Sequence, residues 1–193
     1  MRLINSLSKW LVFMILTFIP VFVNAALPEW EIIPGESSLS FTAIQNDAPV
    51  KGQFKQFTGK IFVDPNDYKS SKIDIIVDMN SVSADYADVK NTLITPDFFN
   101  VKMFPKAEFK ATEFNKTGDK TYQAIGTLTI RDKSAPVTLT FTAVETSPGM
   151  ALVQGSTTFK RSTFGVGQGD WASTDEIKDD VKVDFKLVAK KKS

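Results

Sequence analysis

Apolar and polar residues take turns along most of this chain. The clearest run is Val181-Lys182-Val183-Asp184-Phe185-Lys186-Leu187-Val188-Ala189, which sets Val181, Val183, Phe185, Leu187 and Ala189 on one face. A period of two marks half-buried strands, because successive side chains point to opposite faces of a sheet. Leu39, Phe41 and Ala43 repeat the pattern, as do Ile73, Ile75, Val77 and Met79, and stretches 107–111, 122–130, 137–143 and 151–159. The run Val50, Gly52, Phe54 changes parity before Phe57, Gly59, Ile61 and Val63, which predicts a bulge that bends a strand as barrel closure requires. Segments 116–120 and 147–149 read as hairpin loops. Counting gives eight strands, or nine if Trp30-Glu31-Ile32-Ile33 also pairs.

One stretch breaks the rhythm. Tyr86, Val89 and Leu93 recur at helical spacing, with Asp85 as the expected N-cap. Thr95-Pro96 predicts a second start, with a turn of helix through Asp97-Phe98-Phe99. The expected fold is therefore all-β: an eight-stranded antiparallel barrel with a short helical segment near residues 84–99. Eight strands give a bore that side chains can fill or that holds one ligand. A wet outside and an apolar inside make a container for something apolar the first function to consider.

Composition narrows the chemistry. The chain has no cysteine and no histidine. Ser-His-Asp and Cys-His catalysis, Cys/His zinc sites, and a haem held by either residue are excluded in their usual forms. Arg2 and Lys9 precede an uncharged apolar run over 10–23, and Val23-Asn24-Ala25 ends it with small residues at the positions a signal peptidase reads. The run is about 14 residues, short of the roughly 20 needed to span a bilayer. The expected organisation is a signal peptide over 1–25 and one barrel domain over 26–193, placed in the periplasm or secreted. Removing two positive charges takes the formal charge from +1 to −1. Lys190-Lys191-Lys192 reads as a solvated terminus, with an anionic membrane surface as the sharper alternative. Nothing suggests nucleic-acid binding. Asn115-Lys116-Thr117 matches a glycosylation sequon of low specificity.

Three stretches carry a family resemblance. They are Thr95-Pro96-Asp97-Phe98-Phe99-Asn100-Val101-Lys102-Met103-Phe104-Pro105-Lys106-Ala107-Glu108-Phe109; Tyr122-Gln123-Ala124-Ile125-Gly126-Thr127-Leu128-Thr129-Ile130-Arg131 followed by Ala135-Pro136-Val137; and Arg161-Ser162-Thr163-Phe164-Gly165-Val166-Gly167-Gln168-Gly169-Asp170-Trp171. In order and spacing they resemble the YceI-like family across nearly the whole mature chain. The resemblance implies a lipocalin-like barrel, secreted or periplasmic, whose pore holds a polyisoprenoid or other long-chain amphiphile such as an isoprenoid quinone. It also implies a cytochrome b561-type membrane protein as a partner, and dimers occur in the family. Many members carry histidines near the positions of Ser37 and Gln45, so any contact made by those histidines does not transfer.

The candidate ligand-binding residues follow. Phe41, Phe54, Phe57, Phe109, Leu128, Ile130, Phe141 and Phe159 are strand residues on possible pore faces. Gly126 and Gly155 among them suggest gaps in the wall. Leu93, Phe98, Phe99 and Phe104 form either a lid over the mouth or a plug that ends the core. Phe164 and Trp171 flank a glycine-rich loop at Gly165, Gly167 and Gly169. That loop lacks the lysine of a phosphate-binding motif, and its glycines allow sharp bends, close passage by Trp171, or hinge motion. Arg161 and Arg131 are candidates for a quinone carbonyl or lipid head, or for surface ion pairs. Asp175 with Glu176 and Asp179 with Asp180 read as solvated acids. No constellation looks catalytic and no covalent cofactor is expected. The reading is a non-enzymatic carrier or store for an isoprenoid lipid. Its rival is a filled barrel that works through its outer surface.

Overall fold

The structure is a computed structural model that describes residues 26–192. The expected signal peptide lies outside the described residues. The alternating stretches form β1 (Glu29–Ile32), β2 (Ser38–Gln45), β3 (Ala48–Phe54), β4 (Phe57–Phe62), β5 (Lys72–Asp78) and β6 (Val82–Ala84). One helix, α1 (Ala87–Leu93), then precedes β7 (Lys106–Lys116), β8 (Thr121–Ile130), β9 (Lys133–Ser147), β10 (Met150–Lys160) and β11 (Asp180–Lys191).

These strands make eight antiparallel staves. The ring runs β1-β4-β5-β7-β8-β9-β10-β11, and β1 pairs back onto β11 to close it. Strands β2, β3 and β6 prolong three of the staves: β2 follows β1 along β11, β3 precedes β4, and β6 follows β5. The opening segment that could have made a ninth strand is thus the lower half of the first stave. At the expected parity slip, Lys55 and Gln56 interrupt the stave and keep both Phe54 and Phe57 facing inward. Asn46 and Asp47 join β2 to β3 with φ of 48° and 59°. Positive φ at both central residues is what a two-residue hairpin of the type I′ class requires.

Closure brings charge together outside the seam. Lys190 Nζ lies 3.6 Å from Glu31 Oε2, and Lys192 Nζ 2.6 Å from Glu29 Oε1. The basic tail is therefore mostly strand, paired to β1, rather than a loose solvated end. Exposed pairs like these contribute little energy; the ladder does the closing.

The seam opens at one end. Asp78 pairs with Lys106, but beyond it β6 pairs with β3 and not with β7. Helix α1 and the 94–105 segment cover that gap. The helix begins after Tyr86, whose side chain makes no capping bond, so the expected Asp85 cap is not used. The expected second helical turn is a set of tight turns instead. Thr95 Oγ1 bonds back to the Thr92 carbonyl, and the Thr95 carbonyl accepts from the Phe98 and Asn100 amides. Asn100 then takes φ of 48°, which no right-handed helix allows.

Candidate functional site

Along each stave one parity points into the barrel. Phe41, Phe54, Phe57, Phe109, Leu128, Ile130, Phe141 and Phe159 all do so, packing into one or the other of two apolar clusters. The larger cluster joins the β7–β8–β9 wall to the covered end. The smaller, built on Trp30, Ile32, Phe57, Ile61 and Ala189, lies on the β1–β4–β11 wall. At their margins Leu39, Ile75, Leu139, Phe141 and Leu187 are only half-buried, as are Val153, Thr157 and Phe185, which join neither cluster. The inner wall is nearly all hydrocarbon, and its side chains there are not fully buried.

Glycines widen the bore in an indirect way. A Cβ on Gly155 would lie 2.7 Å from Phe185 Cζ, one on Gly126 2.7 Å from Phe109 Cζ, and one on Gly52 2.3 Å from Phe41 Cζ. The notches expected at Gly126 and Gly155 are thus filled by neighbouring rings. Each ring folds back against the wall rather than reaching for the axis, so the space gained is in the lumen.

The covered end is a cap made from both expected lid segments. Leu93, Phe98, Phe99 and Phe164 are buried in it, with Trp171 half-buried and its ring 5.6 Å edge-on from Phe98. Phe54 links wall and cap, 5.7 Å from Phe41 and 5.8 Å from Phe99. Phe159 meets Phe164 at 5.3 Å. The amides of Gly167 and Gln168 both donate to the Asp97 carbonyl at 2.8 Å. The two segments are one interlocked unit.

Two arginines staple that unit. Arg161 is 3% exposed, and its guanidinium donates to the carbonyls of Val166, Gly167, Ser173, Ile177 and Lys178 at 2.8–3.4 Å. Arg131 Nη1 donates to the carbonyls of Pro96, Phe98 and Gly165, with the guanidinium 5.7 Å from the Phe104 ring. Arg131 opens the two-residue turn between β8 and β9, and takes there a φ of 59°, a backbone state unusual outside glycine. Neither arginine makes an ion pair among the described residues; both serve the main chain. Gly167 is glycine for the same reason. Its φ is 78°, and a Cβ there would lie 2.2 Å from Arg161 Nη1 and 3.2 Å from the Trp171 carbonyl. Burial lowers the Arg161 pKa from its ordinary value, opposed by Asp179. Burial also raises that of Asp179, but Ser162 amide and hydroxyl donors, with Lys160 and Arg161, outweigh it and leave Asp179 below the usual carboxylate range. Asp179 is thus an anchor of the cap rather than a solvated acid.

The far end carries the 117–120 and 148–149 turns and the 63–71 connection. Small inward residues, Ala143, Ala151 and Ala189, gather there on β9, β10 and β11. Beside them an aromatic ladder runs from Tyr68 through Tyr122, 5.8 Å apart, to Phe141 on β9 at 5.9 Å. Tyr68, Tyr122, Phe114, Trp30 and Phe185 belong to the inner surface and were not among the expected site residues. Tyr122 shares the parity of Leu128 and Ile130, which was a usable signal. Phe114 carried none, because a bulge between Ala111 and Glu113 shifts the parity of β7.

Among the described residues no group of His, Cys, Asp and Glu could hold a metal ion, and no helix is long and apolar enough to cross a membrane. A depression of about 400 Å³ between α1 and Trp171 is lined by Asp88, Asn91, Thr92, Thr95 and Asp97, and so is polar.

A family model described as YceI-like domain matches residues 30–189. A UPF0312 protein of Pseudomonas putida is 30% identical over 140 residues, covering 70% of this chain and 72% of that protein. The match to UPF0312 proteins of Yersinia pestis, at 36% identity over 88 residues, spans 45% of their length. BcnA of Burkholderia cenocepacia superposes with a TM-score of 0.78 at 27% identity, over 81% of this chain and 98% of that one. A polyisoprenoid binding domain from Saccharophagus degradans shares the fold at a TM-score of 0.69 and 14% identity, over 84% and 98%.

Proposed function

The chain belongs to the YceI-like family, and from that premise we propose that it binds a long isoprenoid lipid inside its barrel, in the periplasm or outside the cell. The carrying observation is the inner wall, almost wholly hydrocarbon and only half-buried along Val153, Thr157 and Phe185, beside the two apolar clusters. A tail laid in that bore gains roughly 0.8 kcal/mol per buried methylene, so several isoprene units bind tightly without a polar anchor. The polyisoprenoid binding domain from Saccharophagus degradans supports the reading through fold alone. Quinones fit the same description: an apolar tail with a compact carbonyl head.

The cap bears on how the lipid moves. Its two segments are cross-bonded to each other and stapled by Arg131 and Arg161, so the cap closes its end as a unit. Native mass spectrometry of protein purified from its own source tests the proposal. A co-purifying lipid of defined mass supports it. Repeated absence, together with failure to load a long-chain hydrocarbon in vitro, refutes it in favour of an outer-surface function. For that second reading the structure offers Tyr86 and Met103, 73% and 69% exposed beside the cap, as a contact surface for a partner such as a membrane cytochrome.

A further inference from the structure

We infer that the lipid lies with its head at the far end of the barrel, held by Tyr68, Ser71, Lys116 and Tyr122, and with its tail toward the cap. The inference rests on the container reading and adds a direction and a head chemistry to it. Lys116 has the inward parity of β7, two residues past buried Phe114. Its Nζ is 5.9 Å from the Tyr122 ring centroid, and it joins none of the ion pairs of the described residues. Ser71, two residues before inward-facing Ile73, is 2% exposed, and its Oγ has no hydrogen-bond partner. Buried hydroxyls in folded proteins almost always have one. An orphan at the edge of an apolar bore marks where a polar atom of a guest belongs.

The same end supplies two phenol hydroxyls, on Tyr68 and Tyr122. Glu145 has the inward parity of β9 there, but its carboxylate accepts from the Gly149 amide at 3.0 Å. Glu113 lies beside Asn115 at 3.4 Å, on the outward side of β7. The inward positions of that end thus carry three hydroxyls and the Lys116 ammonium, with the Glu145 carboxylate drawn aside to the 147–149 turn. Acceptor oxygens suit that set of donors, whether on a phosphate ester or on a quinone ring. The cap end offers no such set, because its two arginines are committed to main-chain carbonyls.

The test uses the delipidated full chain and three probes with the same twenty-carbon prenyl tail: a hydrocarbon without a head, geranylgeranyl phosphate, and menaquinone-4. Affinities are compared for the native protein, Lys116→Met and Tyr122→Phe. At least one headed probe is expected to bind roughly tenfold tighter than the hydrocarbon, and the two substitutions to erase that advantage while hydrocarbon affinity holds within about twofold. Loss confined to the phosphate in Lys116→Met identifies a phosphate head. Loss confined to menaquinone-4 in Tyr122→Phe identifies a quinone. If the hydrocarbon binds but the head confers no advantage, or an advantage neither substitution touches, the head site is wrong and the container stands. If none of the three binds, both fall.

Discussion

Ala143 offers a sharp test of the bore. It points inward at the far end opposite Val153, is only half-buried, and belongs to neither apolar cluster. A phenylalanine there meets no packed core, so its ring enters the lumen and takes the place of about one five-carbon isoprene unit. At roughly 0.8 kcal/mol per buried carbon the lipid loses about 4 kcal/mol, close to a thousandfold in affinity. The loss should appear for short and long prenols alike, because the obstruction stands at the end where the head and the first isoprene units lie. Displacement of a fluorescent fatty acid by prenols of increasing length, measured for the native protein and Ala143→Phe, reads this directly. A folded Ala143→Phe protein that binds long tails with native affinity would refute the bore as their site.

Other consequences concern the cap. Arg161→Met deserts up to five carbonyls, each costing about 1–3 kcal/mol when left without a donor, so urea denaturation should show a loss of several kcal/mol; a loss under about 1 kcal/mol would mean that water replaces the guanidinium at no cost. Phe98→Ala empties a buried site and should cost about 3–5 kcal/mol, and lipid release should quicken; release at the native rate would show that the cap does not retain the ligand. Asp179 makes the cap sensitive to acid. Its carboxyl is held below the ordinary value, so near pH 4 the unfolded chain binds more protons than the folded one and stability rises with pH there. The contribution is complete above the unfolded value of about 3.9 and fades as pH falls through the folded value. In a Trp10→Phe, Trp30→Phe background, Trp171 emission should shift on acidification, and Asp179→Asn should remove the transition; a transition that survives Asp179→Asn assigns it to another group.

Much of this was legible in the sequence because burial on one face forces a period of two. The eight strand residues offered as candidate contacts all point inward, though parity left open which face was the inner one. The Phe54–Phe57 slip is a real interruption that keeps both rings inside. Three things were not legible, each for a physical reason. The bulge at Ala111–Glu113 adds a residue without altering the local polarity of Lys110-Ala111-Thr112-Glu113, so Phe114 was lost to view. Arg161 bonds only to carbonyls. Every residue has a carbonyl, and a partner common to all positions leaves no mark in composition or spacing. Tyr68 and Ser71 sit on a connection, and only the closed sheet shows that it overhangs the bore.

The division of the core explains how a barrel that keeps room for the proposed guest would stay folded. A lumen open to solvent contributes little stabilisation until it is filled, and a chain without cysteine has no disulfide to compensate. The burden falls on the shell. The two clusters bury the aromatics of opposite walls, and the ladder closes through β1 and β11. At the covered end Arg131 and Arg161 satisfy carbonyls that irregular loops would otherwise leave bare. Inner-wall residues such as Ala143, Val153 and Phe185 are thereby freed from supporting the fold and can be spaced for a guest. Substitutions that enlarge them should then change lipid affinity more than unfolding free energy, whereas substitutions in Trp30 or Phe164 should do the reverse.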